Sequence, residues 1–317
     1  MDSEATKLEL VAKGCLGTCW YGKYHYVEPW AGCEHGCLYC YARFRKAVQA
    51  SLAELGTGYE KPVPLFPYDE LPRRILETVT SLGVKIVKLS RFTDILTPAH
   101  VASGLSYEVL GALVRSPVER IILTTKGVPD ARIVGLMARN PGKFSYNAAL
   151  RADPGLGLEP GLRSPGERMT AAEAVRRSGV KTTVHLDPVI AGIDDDSAVL
   201  VPFLKKLKRK GLMRVMFSYL LLSDEIVALF RERLAPEVVD RVLQAYDKEA
   251  RSQRLPRQSD TVYFTTRPEA KRRSTEGFAD ALRGLGFDFV LCSLKSAKGK
   301  EREEAKGCPV CDGTFYA

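Results

Sequence analysis

The sequence contains no long apolar run and no signal-peptide core. Across its 317 residues, no hydrophobic stretch approaches the roughly 20 residues that a membrane-spanning helix needs. The N-terminal stretch MDSEATKLEL is charged from the start. We therefore expect a soluble, cytoplasmic protein with no membrane partner.

Motifs typical of several other classes are also missing. There is no low-complexity segment, internal repeat or long linker, and 45% of the residues are hydrophobic, so we expect a sizeable core. Neither a GxGxxG nor a P-loop sequence is present to suggest a nucleotide-binding open sheet. The length allows one large α/β domain, or a barrel-like domain with a smaller appendage.

Strand-like and helix-like segments alternate over most of the chain. Strand patterns occupy residues 84–90, 120–126, 144–150, 181–190 and 213–220. Helical patterns occupy residues 68–83, 104–116, 129–139, 164–179 and 200–207. This alternation implies parallel pairing through right-handed crossovers, and it predicts a doubly wound sheet or a full or partial (β/α) barrel. Further helices at 224–234, 236–253 and 268–284 and a strand at 286–292 are predicted beyond it.

The chain is basic, with 47 Lys and Arg residues against 38 Asp and Glu residues and a net charge of +9. This excess is compatible with a nucleic-acid or other anionic partner but does not establish one. The densest basic run, LKKLKRKG, ends at Gly211. Its cations complement the dipole at the end of a helix, which favours a structural role for them.

Cysteine is unevenly distributed. Seven of the eight cysteines lie in close groups, which in a reducing compartment indicates metal binding or redox chemistry. Cys292 stands alone in the apolar run FDFVLCSL and is expected to be a buried core thiol. The groups are Cys15 with Cys19, Cys33 with Cys37 and Cys40, and Cys308 with Cys311.

The central group has the spacing C-x3-C-x2-C within EPWAGCEHGCLYCYAR, residues 28–43. Three thiolates on a 4Fe–4S cluster leave one iron without a protein ligand, and that iron can bind a small molecule. Gly32 and Gly36 would let the backbone pass close to such a cofactor. The alternative is a zinc site that borrows another ligand, such as His35.

This spacing, with Tyr39 before the last cysteine, resembles the signature of the radical S-adenosylmethionine (radical SAM) superfamily, in which SAM supplies the missing ligand. The surrounding residues resemble its spore photoproduct lyase-like branch, which includes proteins called DNA repair photolyases. The resemblance runs from about residue 26 to residue 196. It continues in the segments SRFTDILTPAH, LTTKG, LEPGLRSPGERM and DPVIAGIDD.

The resemblance implies a partial (β/α)6 barrel and reductive cleavage of SAM to a 5′-deoxyadenosyl radical that abstracts hydrogen from a substrate. It also implies a one-electron donor of the flavodoxin or ferredoxin type. Asp94 and His185 are the candidate catalytic residues, and Asp187 could face the substrate. The resemblance also implies that Cys33, Cys37 and Cys40 ligate the cluster. It implies that Tyr39 and Tyr41 pack near the cluster or the adenine. The residues implied to bind SAM are Asp94, Lys126 and Asn147.

One departure from the branch bears on the substrate. Spore photoproduct lyases carry a hydrogen-donor cysteine at the position of Arg91, so repair by that route is not expected here. A nucleic-acid substrate is slightly favoured, with a peptide or a small metabolite as alternatives, and the reaction is of lyase or oxidoreductase type. A non-catalytic, zinc-stabilised nucleic-acid-binding protein is the alternative from another class.

The two outer cysteine pairs together supply four thiolates. They could form an auxiliary 4Fe–4S cluster, which we favour, or a structural zinc site, or they could be unrelated free thiols. We divide the chain into an N-terminal extension with a Cys pair (1–25), a radical SAM partial barrel (26–222) and a C-terminal extension ending in a Cys pair (223–317). The resemblance does not extend into the C-terminal part.

Overall fold

The computed structural model describes residues 7–14, 24–152, 154–251 and 264–291. Among these residues, no helix combines the length and the apolar character needed to cross a membrane. The strands are β1 (Val11–Lys13), β2 (His25–Val27), β3 (Trp30–Ala31), β4 (Val63–Pro64), β5 (Ile86–Leu89), β6 (Arg120–Thr125), β7 (Phe144–Leu150), β8 (Lys181–Val189), β9 (Arg214–Tyr219), β10 (Tyr246–Arg251), β11 (Phe264–Thr266) and β12 (Asp288–Leu291).

The helices lie mainly between consecutive strands of one large sheet. They are α1 (Lys46–Glu54), α2 (Leu71–Ser81), α3 (Pro98–Ser103), α4 (Leu105–Arg115), α5 (Ala131–Arg139), α6 (Pro165–Arg177), α7 (Ser197–Arg209), α8 (Asp224–Arg233), α9 (Pro236–Leu243) and α10 (Pro268–Gly284).

The large sheet has eight strands in the order β1-β2-β5-β6-β7-β8-β9-β12. β1 is antiparallel to β2, and every other neighbouring pair is parallel. Each parallel strand from β2 to β9 reaches its neighbour through at least one helix, as βαβ crossovers require. In the described part of the chain β1 and β12 are the edges of the sheet, which does not close there. The predicted α/β partial barrel is confirmed.

The two faces of this sheet differ in polarity. Successive residues of a strand point to opposite faces, and Leu123 of β6 and Val184 of β8 belong to the hydrophobic core. On the other face, Asn147 of β7 lies between Thr124 and Thr183 in the strand register. The sheet therefore has a polar inner face and an apolar outer face that the helices cover. In a partial barrel, this arrangement places the site on the inner face.

Capping residues explain where several helices begin. Asp130 accepts a hydrogen bond from the amide of Ile133 at 2.9 Å and starts α5. Ser164 and Glu167 form a reciprocal capping box at the start of α6. The predicted helices at 129–139 and 164–179 are therefore confirmed, with starts set by these caps.

The predicted helix at residues 236–253 is wrong in its second half. α9 ends at Leu243, and residues 246–251 instead form β10, which pairs with β11. Tyr246 is buried, and its hydroxyl donates to the carbonyl of Leu220 at 3.0 Å. This tertiary contact outweighs the local helical pattern. The short strands β1 and β2, which precede the cysteine motif, were also not predicted.

The C-terminal part of the chain shares the main core. β12 extends the sheet in parallel with β9, and Phe278 of α10 stacks on Phe217 of β9 with ring centroids 5.2 Å apart. The predicted domain boundary at residue 223 remains a prediction, because the hydrophobic packing continues across it.

A buried ion pair joins the loops that follow β7 and β8. The guanidinium of Arg151 lies 3.1 Å from Asp194 Oδ1, and both side chains are almost fully buried. Asp194 Oδ2 accepts a hydrogen bond from the amide of Ile190 at 2.7 Å. Removing one partner of such a pair leaves an uncompensated charge in the protein interior.

We expect Asp194→Ala to lower the free energy of unfolding by about 3–5 kcal/mol, measured by urea denaturation. The matched control is Asp280→Ala, which removes an exposed pair with Arg283 at 2.9 Å and should have little effect. Equal losses for the two variants would contradict the role of the buried pair.

Candidate active site

The cysteine motif lies in the loop that follows β3. Gly32 opens this loop with a φ of 88°, and a Cβ there would meet the carbonyl oxygen of Tyr59 at 2.6 Å. The amide of Cys33 donates to the same oxygen at 2.7 Å, and the amide of Cys40 donates to the carbonyl of Cys37 at 3.1 Å. Position 32 therefore requires glycine for its conformation and for its lack of a side chain.

The three thiols line one cavity of about 310 Å³, which we call the strand-end cavity. Cys33 and Cys37 are buried, and Cys40 is half-buried. Parallel sheets build ligand sites at the carboxyl ends of their strands. The other walls come from such positions and include Asp94 after β5, Lys126 after β6 and Asp187 of β8.

The environment of the thiols fits cluster ligation. Burial raises the pKa of Cys33 well above its ordinary value, and Asp94, Cys37 and Cys40 add to this effect. Burial also raises the pKa of Cys37 to about 12, while the charge of Lys126 acts in the opposite direction. Metal binding releases such protons and offsets the buried negative charge. Three neighbouring thiols fit a 4Fe–4S cluster, in which each cysteine binds a different iron.

A single metal ion held with the help of His35 fits less well. His35 Nε2 lies 3.2 Å from Asp94 Oδ2, so this imidazole is engaged by a carboxylate. In the part of the chain that the structure describes, no three His, Cys, Asp or Glu side chains are arranged to hold one metal ion. The contact of His35 favours a structural role for it.

Asp94 connects the cysteine loop to the end of β6. Its carboxylate accepts hydrogen bonds from the amide of Leu96 at 2.8 Å, the hydroxyl of Thr125 at 2.6 Å and the amide of Lys126 at 2.7 Å. Burial raises its pKa, but His35 and these donors outweigh burial and lower the pKa to about 2. Both oxygens therefore have protein partners in this structure.

Lys126 extends from the end of β6 across the strand-end cavity. Its Nζ donates to the carbonyl oxygen of Asp187 at 2.9 Å and lies 3.3 Å from Glu159 Oε1. The same ammonium lies 5.3 Å from the centre of the Tyr39 ring. A cation held in this way beside the cysteine loop can bind the carboxylate of a ligand.

Glu159, for which the sequence predicted no role, lies at the centre of this network. Its carboxylate accepts a hydrogen bond from the hydroxyl of Tyr39 and pairs with Lys126 and with Arg168, the latter at 2.9 Å. Burial raises its pKa, but Lys126, Arg168 and Tyr39 outweigh burial and lower it to about 2. The available signal was an acid within the apolar segment GLGLEPGL.

The segment around Glu159 also contacts the backbone of the cysteine loop. The amide of Leu38 donates to the carbonyl of Leu158 at 3.0 Å, and the amide of Gly161 donates to that of His35 at 3.1 Å. A Cβ at position 161 would lie 2.8 Å from the carbonyl oxygen of His35. This close approach requires glycine and fixes one side of the loop.

The remaining predicted residues separate into three groups. Tyr41 lines the strand-end cavity, and its hydroxyl donates to the carbonyl of Arg91 at 2.8 Å. Asn147 and His185 are buried in the sheet and do not line the cavity, although His185 lies opposite the cavity residue Ala149 in the strand register. The outer cysteines Cys15, Cys19, Cys308 and Cys311, and the lone Cys292, lie outside the described residues.

Comparison with solved structures identifies the fold. A double mutant of spore photoproduct lyase with bound AdoMet and dinucleoside spore photoproduct superposes with a TM-score of 0.63 at 15% identity, covering 90% of this chain and 80% of that one. The lyase complexed with dinucleoside spore photoproduct gives 0.59 at 15% identity, with 84% and 75% covered. The chain has the spore photoproduct lyase-like radical SAM fold.

A further solved structure and curated proteins of two mycobacteria are also similar to this chain. Streptococcus suis SuiB bound to S-adenosylmethionine gives a TM-score of 0.50 at 12% identity, covering 86% of this chain and 51% of that one. Uncharacterized proteins of Mycobacterium bovis and Mycobacterium tuberculosis are 27% identical over 228 residues, or 69% of this chain. The match spans 66% of their length, slightly under two thirds. No family model matches the sequence.

Glu28 is a second residue whose role was not predicted from the sequence. It is buried, and its carboxylate accepts hydrogen bonds from the amides of Arg91 and Phe92, the latter at 3.2 Å. Burial raises its pKa to about 7, against the lowering effect of these amides and of the charges on Arg91 and Lys88. Glu28 thus fixes the segment after β5 that forms one wall of the cavity.

The raised pKa of Glu28 predicts a pH-dependent contribution to stability. Because the folded pKa of about 7 exceeds the ordinary 4.5, the contribution is full below pH 4.5 and is lost as the pH rises through 7. The stability of the wild type relative to Glu28→Gln should therefore be greater at pH 5 than at pH 8, by roughly 2 kcal/mol. Urea denaturation at both pH values tests this, with the exposed Glu54→Gln as control. Parallel pH profiles of the wild type and Glu28→Gln would refute it.

Proposed function

We propose that the protein is a radical SAM enzyme that holds a 4Fe–4S cluster through Cys33, Cys37 and Cys40. The observation that carries the proposal is the convergence of these thiols with Lys126 on one cavity at the strand ends of a spore photoproduct lyase-like fold. When bound and reduced by an external one-electron donor, the cluster would supply the electron for reductive cleavage of SAM to methionine and a 5′-deoxyadenosyl radical, which would abstract hydrogen from the substrate.

The residues of the chain bind and orient the reactants in this proposal. Lys126 binds the carboxylate of SAM, and Glu159 holds the ammonium of Lys126 at the edge of the cavity. The charge of Lys126 also favours the thiolate form of Cys37. Asp94 positions the end of β6 and takes part in SAM binding, and Tyr39 of the cysteine loop packs near the cluster or the adenine. Tyr41 stays a proposed neighbour of the cluster or adenine.

Asn147 and His185 have a less direct part in the proposal. Both are buried on the polar inner face of the sheet, beneath the cavity, and neither lines it. SAM or substrate could contact them only by extending deeper than the cavity does in this structure. Asp187, which lines the cavity, is the better placed of the residues proposed to face the substrate.

A nucleic-acid substrate remains the favoured proposal, ahead of a peptide or a small metabolite. It is supported by the basic composition and by the dinucleoside spore photoproduct bound to the structurally similar lyase. Arg91, which stands at the position of the hydrogen-donor cysteine, lines the cavity. Because a guanidinium cannot donate hydrogen as a thiol does, the usual cysteine route is not proposed. A zinc-stabilised nucleic-acid-binding protein explains the cysteines but not the cavity that they share with Lys126 and Asp94.

The proposal includes a flavodoxin- or ferredoxin-type electron donor, an auxiliary cluster at the outer cysteine pairs and a cytoplasmic location. The outer site is favoured as a second 4Fe–4S cluster, with zinc as the alternative. The four ligands would be Cys15, Cys19, Cys308 and Cys311.

The first test is metal content after anaerobic purification and reconstitution. We expect the triple variant Cys33→Ala, Cys37→Ala, Cys40→Ala to lose about four irons per chain, one 4Fe–4S cluster, and to lose SAM cleavage. The single variant Cys292→Ala, which changes a cysteine outside the groups, should retain both. Eight irons in the wild type support the auxiliary cluster, and four irons with one zinc support the structural alternative. A wild type that holds no iron refutes the proposal.

A second test concerns Lys126. Lys126→Met should weaken SAM binding roughly tenfold or more, since it removes a charge-assisted hydrogen bond, while leaving the iron content unchanged. Lys143→Met is the matched control, because Lys143 Nζ also donates to two carbonyl oxygens, those of Val114 and Ser116, but lies before β7 and away from the cavity. Equal SAM dissociation constants for the two variants would exclude Lys126 as a SAM ligand.

A further inference from the structure

Tyr59 lies against the cysteine loop although it is outside the C-x3-C-x2-C motif. It follows α1, in a turn closed by a hydrogen bond from the amide of Lys61 to the carbonyl of Gly58 at 3.0 Å. The chain then enters β4, which pairs antiparallel with β3, directly before the motif. This pairing brings a residue 19 positions after Cys40 into contact with the loop.

Tyr59 contacts both the first and the last cysteine of the motif. Its carbonyl oxygen accepts a hydrogen bond from the amide of Cys33 at 2.7 Å, and its hydroxyl oxygen lies 3.1 Å from Sγ of Cys40. The residue is 7% exposed and lines the strand-end cavity. The backbone contact shapes the loop, whereas the hydroxyl contacts a sulfur that the proposed cluster would use.

The charge state of Cys40 decides which atom of this pair donates. A thiol and a hydroxyl can each donate, and the hydroxyl of Tyr59 also has the carbonyl oxygen of Phe92 within 3.4 Å as an acceptor. Cluster ligation requires the thiolate, which has lone pairs and no proton. Beside a thiolate, the hydroxyl of Tyr59 is therefore the donor, and it exchanges the longer contact with Phe92 for the contact with sulfur.

The surroundings of Tyr59 favour its hydroxyl as a donor. The guanidinium carbon of Arg43 lies 4.7 Å from the centre of the Tyr59 ring, and its positive charge draws electron density from the phenol. Glu60 holds this arginine through an ion pair at 2.9 Å. Cys40 is half-buried, whereas the other two thiols of the motif are buried. At this sulfur, Tyr59 supplies a fixed donor in place of mobile water.

We propose that Tyr59 raises the reduction potential of the 4Fe–4S cluster by donating a hydrogen bond to the thiolate of Cys40. This inference rests on the proposed function and adds a residue that controls its first step, the transfer of one electron from the external donor. In that step the donor is oxidised, the cluster gains one negative charge and no proton moves. A hydrogen bond to a ligand sulfur stabilises the added charge, and such bonds help to set cluster potentials. Tyr59 is thus a positioning residue that acts through Cys40.

The test is a redox titration of the reconstituted holoenzyme without SAM, in which electron paramagnetic resonance reports the reduced cluster. We expect Tyr59→Phe to shift the potential to more negative values by about 30–60 mV, a roughly threefold to tenfold less favourable reduction at about 59 mV per tenfold change. Phenylalanine keeps the ring that packs with Val48 and Leu52 and that lies beside Arg43. The change therefore removes the hydroxyl and little else.

The matched control is Tyr246→Phe. Tyr246 is also buried and its hydroxyl donates to a carbonyl oxygen, that of Leu220 at 3.0 Å, but Tyr246 does not line the cavity. This variant should keep the potential of the wild type, while thermal unfolding and iron content show whether each variant is folded and loaded. Tyr59→3-fluorotyrosine has a more acidic hydroxyl and nearly the same shape, so it should shift the potential to more positive values. It decides the case in which Tyr59→Phe does not retain its cluster.

The inference is overturned if Tyr59→Phe has the potential of the wild type, if Tyr246→Phe shifts it equally, or if Tyr59→3-fluorotyrosine does not shift it to more positive values. SAM cleavage with dithionite as the reductant is measured on the same samples. Iron-loaded protein that cleaves SAM, with a potential that does not respond to Tyr59, keeps the proposed function and removes this inference. Protein that holds no iron removes both.

Discussion

The site depends on two buried carboxylates that connect the cysteine loop to the strand ends. Asp94 joins His35 of the loop to the end of β6, and Glu159 joins Tyr39 of the loop to Lys126. Apart from Leu38 and Tyr39, which belong to the hydrophobic core, this loop of three thiols and two glycines has little apolar surface to bury. Its geometry is therefore set by charged hydrogen bonds, which are directional and strong in a poorly solvated interior.

The distribution of charge divides the cavity into two functional halves. On one side, the ammonium of Lys126 lies beside the carboxylate of Glu159, so a ligand with both a positive and a negative group can exchange for this contact at small net cost. On the other side, Arg91 and Lys88 act on Glu28, whose buried carboxyl group has a raised pKa and carries less than a full negative charge near neutral pH. A zwitterion is therefore suited to the first half.

The sequence predicted those features that depend on local patterns. The bounds of β7 and α10 agree with the predicted ranges, because an apolar run and a proline-initiated helix are both visible in the chain itself. The cysteine loop was predicted from its spacing. The roles of Glu159 and Glu28 were not, since both arise from contacts between residues far apart in sequence, 120 positions in the case of Tyr39 and Glu159. The strand β10 was missed for the same reason, because burial of Tyr246 decides its conformation.

The contact between the cysteine loop and the segment around Glu159 has a consequence for the order of assembly. Leu38 and Gly161 supply backbone hydrogen bonds between segments that are separated by β5, β6 and β7. Contacts of such long sequence separation close a long loop, at an entropic cost that pairing of the intervening strands reduces. We therefore expect the three thiols to reach their final arrangement only in a nearly complete barrel. Maturation with metal would then follow folding of the sheet, and the nascent chain would present its cysteines as an unorganised loop until that point.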